Sequence, residues 1–246
     1  PPYGWLENDR LPRATRFVNA TKQKGWQTRP GLRDPKVNLT DALPAFAKRA
    51  REDVLAFAQG DKPFFLYIPL TSPHSPVVPN KPFQGKTNIG SYGDFVVETD
   101  WVVGQVMQAV DDAKIKDNTL FIFTTDNGAA QFSRKTKGGK THLSSGPYRG
   151  RKRDNWEGGH RVPFIARWPG VVEPGTVSSN ILCLTDLTRT LVAVAGGEIT
   201  RHDVAEDSFS FLHALKEDAR VSAVAGNLLR REATVHHGSS GEFAIR

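Results

Sequence analysis

The 246-residue chain is 38% hydrophobic and 24% charged, and its net charge is +7. That length can bury one large core or two smaller ones, and no run approaches the roughly 18 apolar residues of a membrane span. The single cysteine, Cys183, excludes an internal disulfide framework and a multi-cysteine zinc site.

In "SNILCLTDL" that cysteine reads as a small buried hydrophobe. The positive charge is local. Ten Lys and Arg residues lie between Arg134 and Arg167 against Asp154 and Glu157, so this segment carries +8 and the rest is about neutral. Such a block is a solvated face or a surface for a polyanion. No helix-turn-helix, RNP or zinc-finger pattern accompanies it, so the expectation is an anionic substrate and no nucleic acid.

In chain order, residues 1–38 are rich in Pro, Gly and Arg and read as irregular surface structure. The opening lacks the charged-then-apolar order of a secretory leader; with no initiating Met, the chain reads as a piece of a longer one. "LTDALPAFAKRAREDVLAFAQGDKP" predicts a helix capped by Thr40 or Asp41 and stopped at Gly60. "PFFLYIPL" (63–70) predicts a buried strand, and "TSPHSPVVP" ends it. A second helix is expected over about 92–114, with Phe95, Val102, Val106 and Val110 on its apolar face. "TLFIFTT" (119–125) predicts a further strand, followed by a long loop, 128–160, and the strand "RVPFIARW". Asp186 to Ala195 predicts a helix capped by Thr185, then a short helix near 208–216. "EATVHH" and "EFAIR" read as strands of a smaller sheet.

Alternating helices and fully apolar strands argue for an α/β fold with a mainly parallel sheet sandwiched by helices. Ligands in such sheets gather beyond the carboxyl ends of the strands. Two strands here end in polar chemistry, at His74 and at Asp126-Asn127. Asn127-Gly128 alone would signal a hairpin turn, yet "AAQFSRKTKGG" offers no immediate return strand. A carboxylate beside an amide carbonyl suits a hard cation such as Ca²⁺ or Mg²⁺, although two oxygens do not complete its shell. His74, between prolines, can donate a hydrogen bond or a proton to an oxyanion. In "YRGRKRDNWEGG", Arg149, Arg151, Lys152 and Arg153 form a candidate anion site.

"KPFFLYIPLTSPHSP", "YGDFVVETDWVVGQV", "DNTLFIFTTDNG" and "YRGRKRDNWEGGHRVPFIARWPG" together resemble, in order and style, the sulfatase (arylsulfatase-type) family of the alkaline-phosphatase-like superfamily. The resemblance covers nearly the whole chain. It implies that residues 1–200 are the C-terminal part of a catalytic α/β domain, and that 201–246 begin a smaller C-terminal α+β subdomain. It implies a sulfuric ester hydrolase, exported to the periplasm or outside the cell (lysosomal in a eukaryote), acting on a sulfated small molecule or glycan. Asp126 and Asn127 then match half of a Ca²⁺ ligand set, with Mg²⁺ as the alternative ion. His74 and Lys152 match sulfate-contacting catalytic residues, and Arg151 and Arg153 stand where glycines are common, as subsite residues or as plain surface charge. Asp-Asn-Gly, in place of Asp-His-Gly, favours sulfate cleavage at one Ca²⁺ over two-zinc chemistry.

The family's nucleophile is a formylglycine made from a Cys/Ser-x-Pro-x-Arg motif. It is expected upstream of Pro1, at neither Cys183, which "LTDL" follows, nor any serine of the chain. The missing N-terminal part of the same domain is therefore an expected partner, and the chain alone is expected to be inactive. The rival readings are a phosphate or phosphonate ester hydrolase of the same superfamily and a non-catalytic binder of sulfated polyanions.

Overall fold

The computed structural model describes residues 4–246 except 12, 14, 21, 24, 25, 28, 132, 202 and 217–230, with the backbone alone described at 22, 23, 26 and 27. The chain divides into two compact units: Pro1–Ile115 with Lys135–His142, and Lys116–Arg134 with Leu143–Arg246.

In the first unit, the stretch expected to be irregular contains four short strands. β1 (Arg16–Val18) pairs antiparallel with β4 (Gly31–Arg33), and β2 (Lys22–Gln23) with β3 (Trp26–Gln27). Strands of two or three residues are too short to leave a period in the sequence, which is why they were not legible.

α1 (Ala42–Phe57) buries Leu43, Ala47, Ala50 and Val54, whose spacing of four, three and four keeps them on one face. Its entry differs from expectation. A 3₁₀ turn, Leu39–Asp41, precedes it, and Asn38 is the residue whose side chain accepts the Thr40 amide, while Asp41 makes no capping bond. α2 (Ser91–Asp112) buries Phe95, Val102, Val106, Ala109 and Val110, and Leu43, Ala47, Phe95 and Val102 form the shared core with Phe46, Leu70, Val77, Val78 and Trp101 against it.

The segment 63–70 is extended but forms no strand. Leu66, Ile68 and Leu70 are half-buried while Phe65 and Tyr67 are 71% and 74% exposed. The period-2 alternation is that of a strand; what it lacks, among the described residues, is a neighbour for its backbone groups.

In the second unit, β5 (Phe121–Thr124) pairs with β8 (Phe164–Arg167), and Thr124 faces Phe164 across the pair. This pairing is antiparallel, as is every registered strand pair among the described residues, so the expected parallel neighbours are not what these strands form. The reason is the connection: the chain leaves β5 at Thr124, folds back on itself, and re-enters β8 at the same end. Along the chain that connection contains the β6 (Ser133–Lys135) and β7 (Thr141–Leu143) hairpin, most of which belongs to the first unit, and the single-turn helix α3 (Glu157–His160).

α4 (Leu187–Val194) and α5 (Leu212–Lys216) follow, then the hairpin of β9 (Val235–His237) and β10 (Phe243–Ile245), as the sequence led us to expect. α4 is not capped by Thr185, which donates to the Asp207 carbonyl. A 3₁₀ turn intervenes, and Asp186, 1% exposed, accepts the Cys183 and Phe209 amides and a two-pronged pair of bonds from Arg231 at 2.9 and 2.7 Å. An isolated buried carboxylate is costly, and this one is stable because every lone pair meets a donor. The Asp186 hydrogen bond in turn raises the Arg231 guanidinium above its ordinary value, against the pull of burial. Cys183, expected to be buried, is half-buried.

Candidate functional site

The tip after β5 and the loop 149–161 are joined backbone to backbone. Gly128 N donates to the Gly159 carbonyl at 2.9 Å, and Lys152 N donates to the Ala129 carbonyl at 2.9 Å. The approach is so close that a Cβ on Gly128 would lie 1.8 Å from the Gly158 oxygen, and one on Gly159 2.1 Å from the Asp154 oxygen. "TTDNG" and "WEGG" are thus two halves of one interlock, and glycine is required on both sides.

Five further contacts shape the loop. Gly158 N donates to the Arg149 carbonyl at 2.7 Å and Arg161 donates to Glu157 at 3.0 Å. The Arg149 guanidinium lies 3.7 Å over the Trp156 ring. Residues 151–154 make a turn in which Asp154 N donates to the Arg151 carbonyl and the Asp154 carboxylate accepts Arg151 N. Arg153 sits in this turn at φ +84°, where glycine is the usual occupant. Arg151 and Arg153 are exposed and Lys152 is half-buried at the turn's first corner. Among the described residues the Lys152 ammonium makes no ion pair, so its charge is uncommitted.

Asp126 is exposed and Asn127 half-buried, and the Asn127 amide donates to Asp126 Oδ1 at 2.8 Å. The pair offers hard oxygens of the kind Ca²⁺ or Mg²⁺ takes, in a number short of the six such ions need. No group of three or more His, Cys, Asp or Glu able to hold a metal occurs among the described residues. The donor set fits the expected ion in kind, as part of a shell.

His74 belongs to the first unit, in the Ser72–Val78 segment. Its Nδ1 is 2.7 Å from the Ser75 carbonyl, which fixes the proton on Nδ1 and leaves Nε2 as the outward nitrogen. The residues that hold this loop escaped the sequence reading. They are polar teeth on α2: the Thr99 hydroxyl pairs with Ser72 Oγ at 2.7 Å, Glu98 accepts Asn80 N and Nδ2 at 2.8 and 2.6 Å, and Asp94 accepts Gly85 N and Thr87 N at 2.8 Å each. Burial opposes the charge on Asp94, but the bonds from Gly85 and Thr87, with Lys137 nearby, outweigh it and hold the carboxyl below its usual range. The signal was available: Asp94, Glu98 and Thr99 share a face of a helix whose neighbouring residues are core.

One sequence reading is corrected here. Ser145-Gly146-Pro147-Tyr148-Arg149 matches the letters of Ser-x-Pro-x-Arg, so a serine of this chain does head the pattern. Ser145 is half-buried, its hydroxyl donates to the Gly158 carbonyl at 3.4 Å, and its own carbonyl accepts Tyr148 N at 3.2 Å. Those bonds brace the turn beneath "WEGG".

Comparison with known proteins gives this arrangement its context. A sulfatase family model matches residues 5–197. N-acetylgalactosamine-6-sulfatase from Homo sapiens is 38% identical over 161 residues, covering 65% of this chain and 28% of its own length. N-acetylgalactosamine-6-O-sulfatase from Bacteroides thetaiotaomicron is 31% identical over 206 residues, covering 81% of this chain and 39% of its own. This chain therefore spans well under half the length of these relatives. Among solved structures, a glycosaminoglycan-metabolism sulfatase of Bacteroides thetaiotaomicron superposes with a TM-score of 0.72 at 29% identity, over 85% of this chain and 42% of that one. A sulfatase from Pseudoalteromonas sp. gives 0.71 at 24% identity, over 92% and 43%, a likeness of fold. With the family model spanning most of its length and the interlocked motifs inside the matched region, the chain belongs to the sulfatase family and carries part of its alkaline-phosphatase-like α/β fold.

Proposed function

We propose that this chain is the portion of a sulfuric ester hydrolase that supplies half of a cation site and the principal sulfate-binding cation, and that the substrate is a sulfated carbohydrate. The observation that carries the reading is the 2.9 Å backbone bond from Lys152 N to the Ala129 carbonyl, which holds the backbone of a lysine with no ion pair among the described residues beside the segment that follows Asp126-Asn127. A sulfate ester develops negative charge on its bridging and terminal oxygens as the S–O bond breaks, and fixed cations aimed there lower the barrier. In this reading Lys152 holds a terminal sulfate oxygen, and His74, carrying a second proton on Nε2 beside the one its Nδ1 shares with the Ser75 carbonyl, donates from Nε2 to the leaving oxygen. Arg151 and Arg153, both exposed, extend the positive surface towards the rest of an anionic sugar. Asp126 and Asn127 would hold Ca²⁺, which supplies charge neutralisation at the sulfate when bound. The nucleophile belongs to an upstream part of the same domain, and an exported location accompanies the reading.

Titration of the chain with inorganic sulfate, in the presence and absence of Ca²⁺, tests this. Sulfate binding should weaken about 10- to 100-fold in Lys152→Ala, the loss of one charge-assisted contact. It should also weaken when Asp126 and Asn127 are both changed to Ala. Sulfate affinity indifferent to Lys152 would refute the assignment. Phosphate bound far more tightly than sulfate would favour an ester hydrolase of the other oxyanion.

A further inference from the structure

The back of the Lys152 loop is fastened to the C-terminal hairpin through a pair of histidines that the proposed chemistry does not use. His160, at the end of α3, stacks on His236 of β9 with ring centroids 3.5 Å apart and planes 13° from parallel. His160 Nε2 is 2.8 Å from the Asn155 carbonyl, and His236 Nε2 is 2.8 Å from the Thr234 hydroxyl. Two parallel bonds complete the fastening: Asn155 Nδ2 donates to the Glu242 carbonyl at 2.9 Å, and Ser239 N donates to the Arg153 carbonyl at 3.0 Å. The hairpin therefore grips the residues immediately after Lys152 and the residue that ends the "WEGGH" turn.

We propose that His160 and His236 are positioning residues for Lys152: uncharged, their stack holds the 149–161 loop in the interlock with Asp126-Asn127-Gly128, and a proton on the stack loosens it. That the thing positioned is a sulfate contact rests on the function proposed above; the fastening itself does not. Two imidazoles face to face at van der Waals distance tolerate one added charge poorly and two hardly at all. The groups facing His236 are His160 and Glu157 from α3 and Arg246 at the end of β10, whose guanidinium is paired with Glu157 at 3.2 Å. Glu157 is shared with Arg161 at 3.0 Å, so its charge is already spoken for by two cations.

Burial, with His160 and Arg246 adding to it and Glu157 opposing, holds the His236 imidazole below its ordinary 6.5. A base lowered in the folded state takes up its proton later than the unfolded chain does. The stability it contributes is fully present above about pH 6.5 and is lost as pH falls through the lower folded value. Loosening therefore belongs to the acid side.

Amide hydrogen exchange on the chain, corrected for intrinsic rates, reads this directly. Protection of the Lys152 and Gly128 amides should fall about tenfold between about pH 7.5 and about pH 5.5, with protection in α2 unchanged. In His236→Phe, which keeps a flat ring against His160 but removes the imidazole that takes the proton, that fall should disappear. Should the variant fold poorly, the unmodified chain still decides the matter: the His236 ring signals must titrate with a midpoint below 6.5, and the Lys152 amide must follow the same midpoint. Protection flat with pH, or a Lys152 amide that ignores the histidine titration, would overturn the proposal. Because exchange needs no ligand, failure of sulfate to bind at every pH would count against the proposed function alone.

Discussion

At the residue scale, the interlock depends on atoms that are absent. The space a Gly128 Cβ would need is occupied by the Gly158 oxygen, so Gly128→Ala must push the two loops apart. Backbone cannot yield as a side-chain tip can, and the expected cost is about 2–4 kcal/mol, the range of overpacking and lost buried bonds. Thermal unfolding should show it as a lower Tm, and sulfate titration as weakened binding, whereas Gly104→Ala on α2, where a Cβ would meet nothing, should be neutral or slightly stabilising. Ser145 calls for a different measurement. If its role is the brace to the Gly158 carbonyl, a peptide spanning 141–149 should have the unmodified serine mass. A mass two hydrogens lighter, the signature of an aldehyde at Ser145, would move the nucleophile into this chain. Asp126 and Asn127 were singled out in sequence because polar residues end an apolar run, and Lys152 because the resemblance picks it from an Arg-rich stretch; the structure adds the backbone bond that joins Lys152 to the segment after Asn127. The Gly128 contact, by contrast, is made by Gly158, thirty residues away, and no local pattern announces it.

At the element scale, α2 does two jobs with one buried face. Its apolar residues are core, and their spacing made the helix legible to within a residue or two of its observed ends. The polar residues buried among them, Asp94, Glu98 and Thr99, fix Ser72 and the 80–87 segment by hydrogen bonds. Replacing Asp94 with Asn presents an amide N–H₂ to at least one of the Gly85, Thr87 N–H or Thr87 hydroxyl donors, so bonds are lost. The expected cost is about 1.5–3 kcal/mol, measurable by urea unfolding. In the unmodified chain Asp94 is lowered, so its contribution is complete above the ordinary carboxyl value of 3.8 and fades only as pH falls through the lower folded value. This acid loss lies well below the histidine transition, which keeps the two distinguishable in one pH series. Element boundaries were less legible where 3₁₀ turns intervene: Asn38 accepts the Thr40 amide in the turn before α1, and α4 opens at Asp186, whose carboxylate accepts Cys183 N across the preceding turn and no amide of α4. In each case the residue used lies within three positions of the expected one.

At the scale of the whole molecule, the α/β class and the family could be read from the four motifs, while strand pairing could not. β5 and β8 are near-continuous apolar runs that would suit a parallel sheet, yet the 125–163 connection returns to the end it left and makes them antiparallel. Pairing direction is decided by where a long loop lands, and that is a tertiary fact. The cation half-shell of two oxygens leads to a further expectation: the 246-residue chain alone should not turn over a sulfate ester, with or without Ca²⁺. An assay with an aryl sulfate checks it, and measurable turnover abolished by Lys152→Ala would show that the chain is self-sufficient.

The ribbon at 63–70 has a consequence for handling the protein. Its outward Phe65 and Tyr67, with backbone groups that meet no partner among the described residues, form an open edge of high β-propensity, the kind of surface on which chains add to one another. Asp61, Lys62 and Pro63 on one side and Pro69 on the other stand as gatekeepers at its ends. Self-association should therefore rise steeply with concentration and be relieved by a charge on the outward face, such as Tyr67→Lys, without loss of the α1–α2 core. Light scattering across a dilution series would record that difference.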